Sequence, residues 1–211
     1  MKRQTLVPIG MSGNCVEIIE ALTAAYEVPA ILDDGEQHQG TSFEGVPIFP
    51  LSRATDYPNA EFLCLIGSTR SFRVRKRLID GVAVQSKRYA TFVHPDASVS
   101  RFAELGLGAV IYSGVLVTSN ARIGNHVLTL PRSVIHHDVN IGDYSLVGTG
   151  VILAGGVQVG ESCYIGSGSA IRDGITIGEG ALVGMGSVVV RDVPAGAVVA
   201  GNPARPVNRR D

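Results

Sequence analysis

No apolar stretch in this 211-residue chain is long enough to cross a bilayer, although 45% of its residues are hydrophobic. The hydrophobicity is dealt out in short Val/Ile/Ala segments. An excess of either charge is missing too: the net charge is −1, which excludes the electrostatic footprint of a nucleic-acid binder. Cysteine is scarce, and Cys15, Cys64 and Cys163 form neither a metal-binding pattern nor a disulfide framework. Cys163 and Cys64 read as core packing, and Cys15, after a Gly-bearing loop, is expected to be partly accessible. None of the three makes a good case for an acyl-enzyme formed through a thiol. The start Met1-Lys2-Arg3-Gln4 is basic, but Leu6–Gly10 is too short and Gly-interrupted for the apolar region of a signal peptide. A soluble cytoplasmic protein, with no membrane insertion and no nucleic-acid partner, is the expectation.

What is present is a period of six. Every sixth residue from Val99 to Val189 gives sixteen positions, of which fifteen are Ile, Leu or Val and one is Thr129. Eight of them are followed by Gly, and four places further along stand small or β-branched residues such as Ala121, Val127, Ser133, Val139 and Ser145. A helix repeats near 3.6 and a strand at 2, so a strict six is neither. It predicts a short strand and a turn on a fixed unit, with an aliphatic side chain of each unit pointing into a prism-shaped core. Three units make one triangular coil, so residues 99–189 predict about five coils of parallel β-helix. The residue after each inward aliphatic is expected to need a backbone conformation that Gly tolerates best.

Before residue 90 the pattern changes. Thr5–Ile9, Val28–Leu32 and Glu61–Ile66 read as strands, Cys15–Tyr26 and Arg73–Ile79 as helices, and 37–57 mostly as loop. This order predicts an α/β domain with a small parallel, Rossmann-like sheet over 1–90, followed by an all-β domain over 91–211. Gly10-Met11-Ser12-Gly13, Asp33-Asp34 and Gly67-Ser68 each follow a strand, and so gather at the carboxyl edge where open α/β sheets bind ligands. Taken alone, Gly10-x-Ser12-Gly13 also fits an ordinary strand-to-helix turn. Gly10 and Gly13 allow close approach to the backbone, and an acidic pair suits hydroxyls or the N–H of a base better than phosphate. A nucleotide diphosphate sugar therefore fits better than a dinucleotide.

The ladder fails once, at Thr129, and close behind comes Ile135-His136-His137-Asp138. Local rule-breaking of this kind marks functional sites. Ile135 holds the inward slot and His136 the usual Gly slot, where His tolerates positive φ. His137 then points outward from a corner, a candidate general base with Asp138 fixing its tautomer. His126, His136 and His137 are the candidate metal ligands, but adjacent His136 and His137 should not converge on one ion, so no metal is expected.

At these residues the chain resembles the hexapeptide-repeat acyltransferases. It is most similar to the bacterial sugar acetyltransferases that join a small nucleotide-sugar-binding domain to a left-handed β-helix. These include nucleotide-amino-sugar N-acetyltransferases and sialic acid O-acetyltransferase-like proteins. The resemblance runs through Gly10–Gly13, Asp33-Asp34, Val93-His94-Pro95, Ile135–Asp138, Ala154–Gly160 and Val198–Ala204. It implies a homotrimer, acetyl-CoA lying between two β-helices, and a nucleotide-linked amino sugar as acceptor. By motif position His137 is the general base and Asp138 its partner, and the Gly155 amide is an oxyanion donor. Ser167 and Met185 line the pantetheine, Asn202 to Arg205 lie near the nucleotide end of CoA, and Ser12, Asp33 and Asp34 contact the sugar nucleotide. Three positions depart from the family pattern: Asn14 and Leu146 stand where His is common, and Leu130 where Asn is. The function expected is acetyl-CoA-dependent N-acetylation of a nucleotide-linked deoxyamino sugar. The alternatives are O-acetylation of a sugar such as sialic acid, and an inactive nucleotide-sugar-binding scaffold.

Overall fold

Strands recur on the same face every third hexad, so paired residues lie eighteen apart, as in Leu116 with Val134 and Val117 with Ile135. The computed structural model describes residues 3–207. Its coils carry three parallel sheets. The first face holds 98–99, 116–117, 134–135, 152–153, 170–171 and 188–189, and the second runs from 104–105 to 176–177. The third starts at Phe92–Val93 and runs through 182–183 to Val198–Gly201, closed by the antiparallel Ala204–Pro206. The hexad residue and its partner four places on are both buried, as in Val117 with Ala121 and Ile135 with Val139. Inward serines are tolerated because they bond to backbone: the Ser133 hydroxyl donates to Gly148 O at 2.7 Å and accepts from Val151 N at 3.2 Å. Thr129, the one exception in the ladder, is fully buried with no partner for its hydroxyl among the described residues.

The reason for the repeating glycines differs from the expectation. The left-handed residue of each corner lies three places after the inward aliphatic, at Asn120, His126, Arg132, Asp138 and Tyr144, with φ between 56 and 62°. Glycine follows the aliphatic for lack of space: a Cβ at Gly142 would sit 2.6 Å from Glu161 N on the next coil. The corner between the first and second faces carries Ser100, Thr118, His136, Ala154, Arg172 and Val190 at that slot, so it is open enough for side chains. His136 therefore occupies no left-handed position; Asp138 does, at φ 59°.

The N-terminal residues form a five-stranded sheet in the order β3-β4-β2-β1-β5, with β1 Leu6–Ile9, β2 Ile31–Leu32, β3 Ser42–Phe43, β4 Val46–Phe49 and β5 Glu61–Cys64. All pairs are parallel except β3 with β4. That hairpin falls in the segment expected as loop. Glu44 and Gly45, both at positive φ, make its two-residue turn, and β4 extends the sheet beside β2. The helix expected over 15–26 is two, α1 Gly13–Val16 and α2 Ile19–Ala25, interrupted at Ile18 (φ −124°), so Val16 turns outward to solvent. The second expected helix is α3, Arg75–Asp80.

This sheet and its helices cover the third face, and the apolar core runs through both parts. The outward residues Val110, Leu128 and Leu146 are consequently buried. Arg75 pins the two parts together. Its fully buried guanidinium donates to the carbonyls of Ile66 and Cys64 at the end of β5 and to those of His126 and Tyr144 on the coils. Burial pushes its pKa down. Arg73 adds bonds to Gly180 O and Gly196 O at 2.9 and 3.0 Å.

Candidate active site

At the corner between the first and second faces the backbone is fixed from two sides. Asp138 N donates to Ser119 O one coil back, and His137 O accepts from Gly156 N one coil on, at 3.1 and 3.0 Å. Both side chains of the pair are exposed, 64% for His137 and 57% for Asp138, and His137 Nδ1 lies 2.8 Å from Asp138 Oδ2. Asn120 Nδ2 donates to the other carboxylate oxygen at 3.1 Å. The bond from His137, and then that from Asn120, hold the Asp138 carboxyl below the usual range. An ionised carboxylate only accepts, so the neutral imidazole carries its proton on Nδ1 and presents a lone pair on Nε2. That is the tautomer a general base requires.

Gly155 sits directly after this pair in the stack. A Cβ there would come within 2.6 Å of His137 Cε1 and Nε2, so only glycine leaves room for the ring. The Ala154 and Gly156 amides are engaged with Ile171 O and His137 O, whereas among the described residues the Gly155 amide has no backbone acceptor. An amide donor without an acceptor is what an oxyanion site needs. An open groove of about 390 Å³, lined by Asn120, Arg122, Asp138, Val139, Asn140 and Gln158, continues from the pair along the second face.

Other expected residues lie elsewhere. Ser167 and Met185 stack at the corner between the third and first faces, where the Ser167 hydroxyl accepts from Thr149 N at 3.2 Å and Met185 is exposed. Asn202 and Arg205 are exposed in the terminal hairpin of the third face. One chain thus does not bring these four to Gly155.

At the sheet edge the expected groups do gather, and they are tied to each other. Asp33 accepts from Met11 N and Gly35 N, both at 2.7 Å, and Asp34 accepts from Leu51 N at 2.8 Å. The Ser12 hydroxyl donates to Leu65 O at 3.2 Å, and Asn14 Nδ2 donates to Leu65 O and Gly67 O. Gly10 (φ 97°) passes against Ile66, and Gly13 opens α1 with free space around it. Both oxygens of Asp33 therefore hold the loop, leaving Asp34 the freer of the acidic pair. Cys15 is buried, not accessible, and its thiol is pushed up to about 12 by burial and the Asp33 charge. Beside Asn14 and Gly67, residues Leu128, Leu130, Leu146, Gly148 and Tyr164 enclose a small apolar cavity of about 60 Å³. His126 is a core residue, stacked on Tyr144 and edge-on to Tyr89. Among the described residues no three His, Cys, Asp or Glu side chains form a metal site.

Sequence reasoning missed Asn120. Its signal is visible only once the coil length is known: it stands eighteen residues before Asp138. Arg75 was missed as well, since nothing in a helical spacing marks a buried guanidinium.

The bacterial transferase hexapeptide model (six repeats) matches residues 120–155 and 156–191. PerB from Caulobacter crescentus, solved in complex with CoA and GDP-perosamine, is 30% identical over 97% of each chain, with a TM-score of 0.84. The chain belongs to the hexapeptide-repeat bacterial sugar acetyltransferases. A mutant of perosamine N-acetyltransferase from the same organism, in complex with CoA and GDP-perosamine, superposes with a TM-score of 0.86 at 29% identity, over 97% of each chain. The acetyltransferase domain of PglB from Neisseria gonorrhoeae, in complex with acetyl coenzyme A, gives 0.86 at 27%, over 97% of this chain and all of that one. Comparison with curated protein sequences finds no match. As a member of this family the chain is an acyltransferase.

Proposed function

We propose that this protein transfers an acetyl group from acetyl-CoA to the amino group of a nucleotide-linked deoxyamino sugar. The single observation that carries the reading is the Nδ1-to-carboxylate bond of His137, which leaves Nε2 as the lone-pair nitrogen, against Gly155. The sugar amine attacks the thioester carbonyl while His137 Nε2 takes its proton. The tetrahedral oxygen is held by the Gly155 amide. The C–N bond forms, the C–S bond breaks, and the proton passes from His137 to the leaving sulfur, giving the amide and CoA thiol. Residues 1–90 hold the nucleotide sugar through a Rossmann-like edge at Gly10, Ser12, Gly13 and Asp34, with Asp33 fixing the loop. Residues 91–211, a left-handed coil, carry the transfer.

The same reading makes the enzyme a homotrimer. The α/β part lies on the third face, so the corner of His137 is the vertex opposite it. After Ser98 the outward side chains of the first face are apolar, and two stand in the open: Leu116 is 39% and Ile152 45% exposed. That face is flanked by the His137–Gly155 corner on one side and the Ser167–Met185 corner on the other. A closed ring built on the first face sets one subunit's base against the neighbour's Ser167, Met185 and sheet edge, with Asn202 and Arg205 at the far end of the CoA. The apolar cavity at Leu130 and Leu146 favours a deoxygenated sugar carbon over a hydroxyl there. Three buried, unpaired thiols fit a cytoplasmic enzyme. O-acetylation uses the same base, and the engagement of Asp33 with backbone is the observation that keeps it in view.

Steady-state assays with acetyl-CoA and UDP-, GDP-, dTDP- and CMP-linked amino sugars, each with and without a 6-hydroxyl, test the reading. Mass spectrometry should find the acetyl on nitrogen. His137→Asn should lower kcat by about 10²–10⁴-fold with the fold intact. Near-normal kcat in that variant would remove the base, and acetyl found only on oxygen would move the assignment to the O-acetyl class.

A further inference from the structure

We propose that Asn120 is a positioning residue for transfer, holding the Asp138 carboxylate so that His137 keeps its base tautomer and its aim. The inference rests on the reading of His137 as the base. Three successive coils contribute at this corner. Asn120 donates to Asp138 Oδ1, Asp138 Oδ2 faces His137 Nδ1, and the imidazole edge lies against Gly155. Backbone bonds to Ser119 O and from Gly156 N fix the main chain of the pair but not its side-chain torsions. Both side chains are more than half exposed, so no packing holds the carboxylate in one rotamer. The Asn120 amide is the group that does.

The corner itself supports a specific role. Asn120 and Asp138 occupy the same left-handed slot on consecutive coils, at φ 60 and 59°, and the next two coils fill it with Gly156 and Gly174. Glycine satisfies that backbone equally well. Side chains stand in the slot at His137 and on the coil before it, and glycine takes over on the two coils beyond. An amide donor also suits the task better than a cation: it orients the carboxylate without neutralising it, so Asp138 still favours the protonated imidazole that forms during attack.

The test is a double-mutant cycle on the full-length enzyme. Asn120→Gly keeps the backbone conformation and removes the donor; kcat should fall about tenfold, with KM for acetyl-CoA and for the sugar nucleotide changed less than about twofold. In an Asp138→Ala background the same change should cost less than about twofold, because the partner through which Asn120 acts is gone. Asn120→Asp keeps size and tolerance of positive φ but sets a carboxylate where the donor stood; it should lose at least as much kcat as the glycine variant. A tenfold loss that persists in the Asp138→Ala background would mean that Asn120 supports the corner rather than the base, and the proposal falls. Unchanged kcat in Asn120→Gly, with His137→Asn inactive, also overturns it. An inert His137→Asn would instead remove the reading on which it rests.

Discussion

The first and third faces of the prism obey one rule inside and opposite rules outside. Inward, both present aliphatic residues every eighteen positions, Thr129 on the third face excepted, and beyond the first coil both ladders are buried. Outward, the third face carries Val110, Leu128 and Leu146, buried beneath the α/β part, while the first face carries Leu116 and Ile152 in the open. The second face differs again, with Glu104, Arg122, Asn140, Gln158 and Thr176 in register and an Arg122–Glu104 ion pair at 3.5 Å. The inward code fixes the coil, and the outward code says what each face meets. An apolar outer ladder means a protein neighbour, and a polar one means water or substrate.

The largest expected effect comes from making the first face resemble the second. Leu116→Asp with Ile152→Asp adds two charges to a surface already exposed in the monomer, so its folding should be nearly untouched. In a ring built on that face the charges would be buried without partners. Sedimentation equilibrium should shift from about three times 22.1 kDa to 22.1 kDa, with activity falling by more than about a hundredfold. A variant that remains trimeric and active would place the interface elsewhere.

Reversing the comparison at the third face targets Arg75. Arg75→Met keeps the length of the side chain but takes the donor from four carbonyls, buried at Cys64 and His126 and part-buried at Ile66 and Tyr144. A net loss of about 3 kcal/mol is expected, since each buried acceptor left without a donor costs about 1 kcal/mol or more and some desolvation is regained. Urea unfolding measures it. Arg75→Lys should recover only part, because one ammonium cannot span the positions of a planar guanidinium. Equal midpoints for native protein and Arg75→Met would mean that the third face is held by apolar contact alone.

How far the sequence could be read follows the same division. The coil was legible because six-residue spacing is a one-dimensional trace of a local rule, repeated sixteen times. His137 and Asp138 were legible because they are adjacent and the phase of the coil says which way each side chain points. Asn120 was not, because its contact depends on coil length rather than on a motif. The β3–β4 hairpin was missed since its strands are short, and its cue, Glu44-Gly45, is weaker than the usual Asn-Gly pair. For the glycines that directly follow an inward aliphatic residue the expected reason is wrong: close approach of the next coil, not positive φ, excludes a side chain. Arg75 and the break at Ile18 follow from how two parts pack, which no window of sequence contains.

The smallest effect tests the edge where the third face meets the α/β part. His126 turns this corner at φ 56°, stacked on Tyr144 with ring centroids 5.4 Å apart and edge-on to Tyr89 at 4.6 Å. Burial first, and then the charge of Arg75, lower its pKa to about 4, against 6.5 for a free imidazole. The folded state therefore binds the proton less readily than the unfolded chain does. Stability from the neutral ring is complete above pH 6.5 and drains away as pH falls towards 4. Over that window the native protein should lose about 2 kcal/mol relative to His126→Asn, which tolerates the same φ and does not titrate. Carboxylates that titrate at the low end are common to both proteins, so the difference between their urea midpoints from pH 7.5 to 4.5 isolates the imidazole. Parallel pH profiles would show that the ring takes up its proton in place, and that this junction is more open to water than the buried outer ladder of the third face.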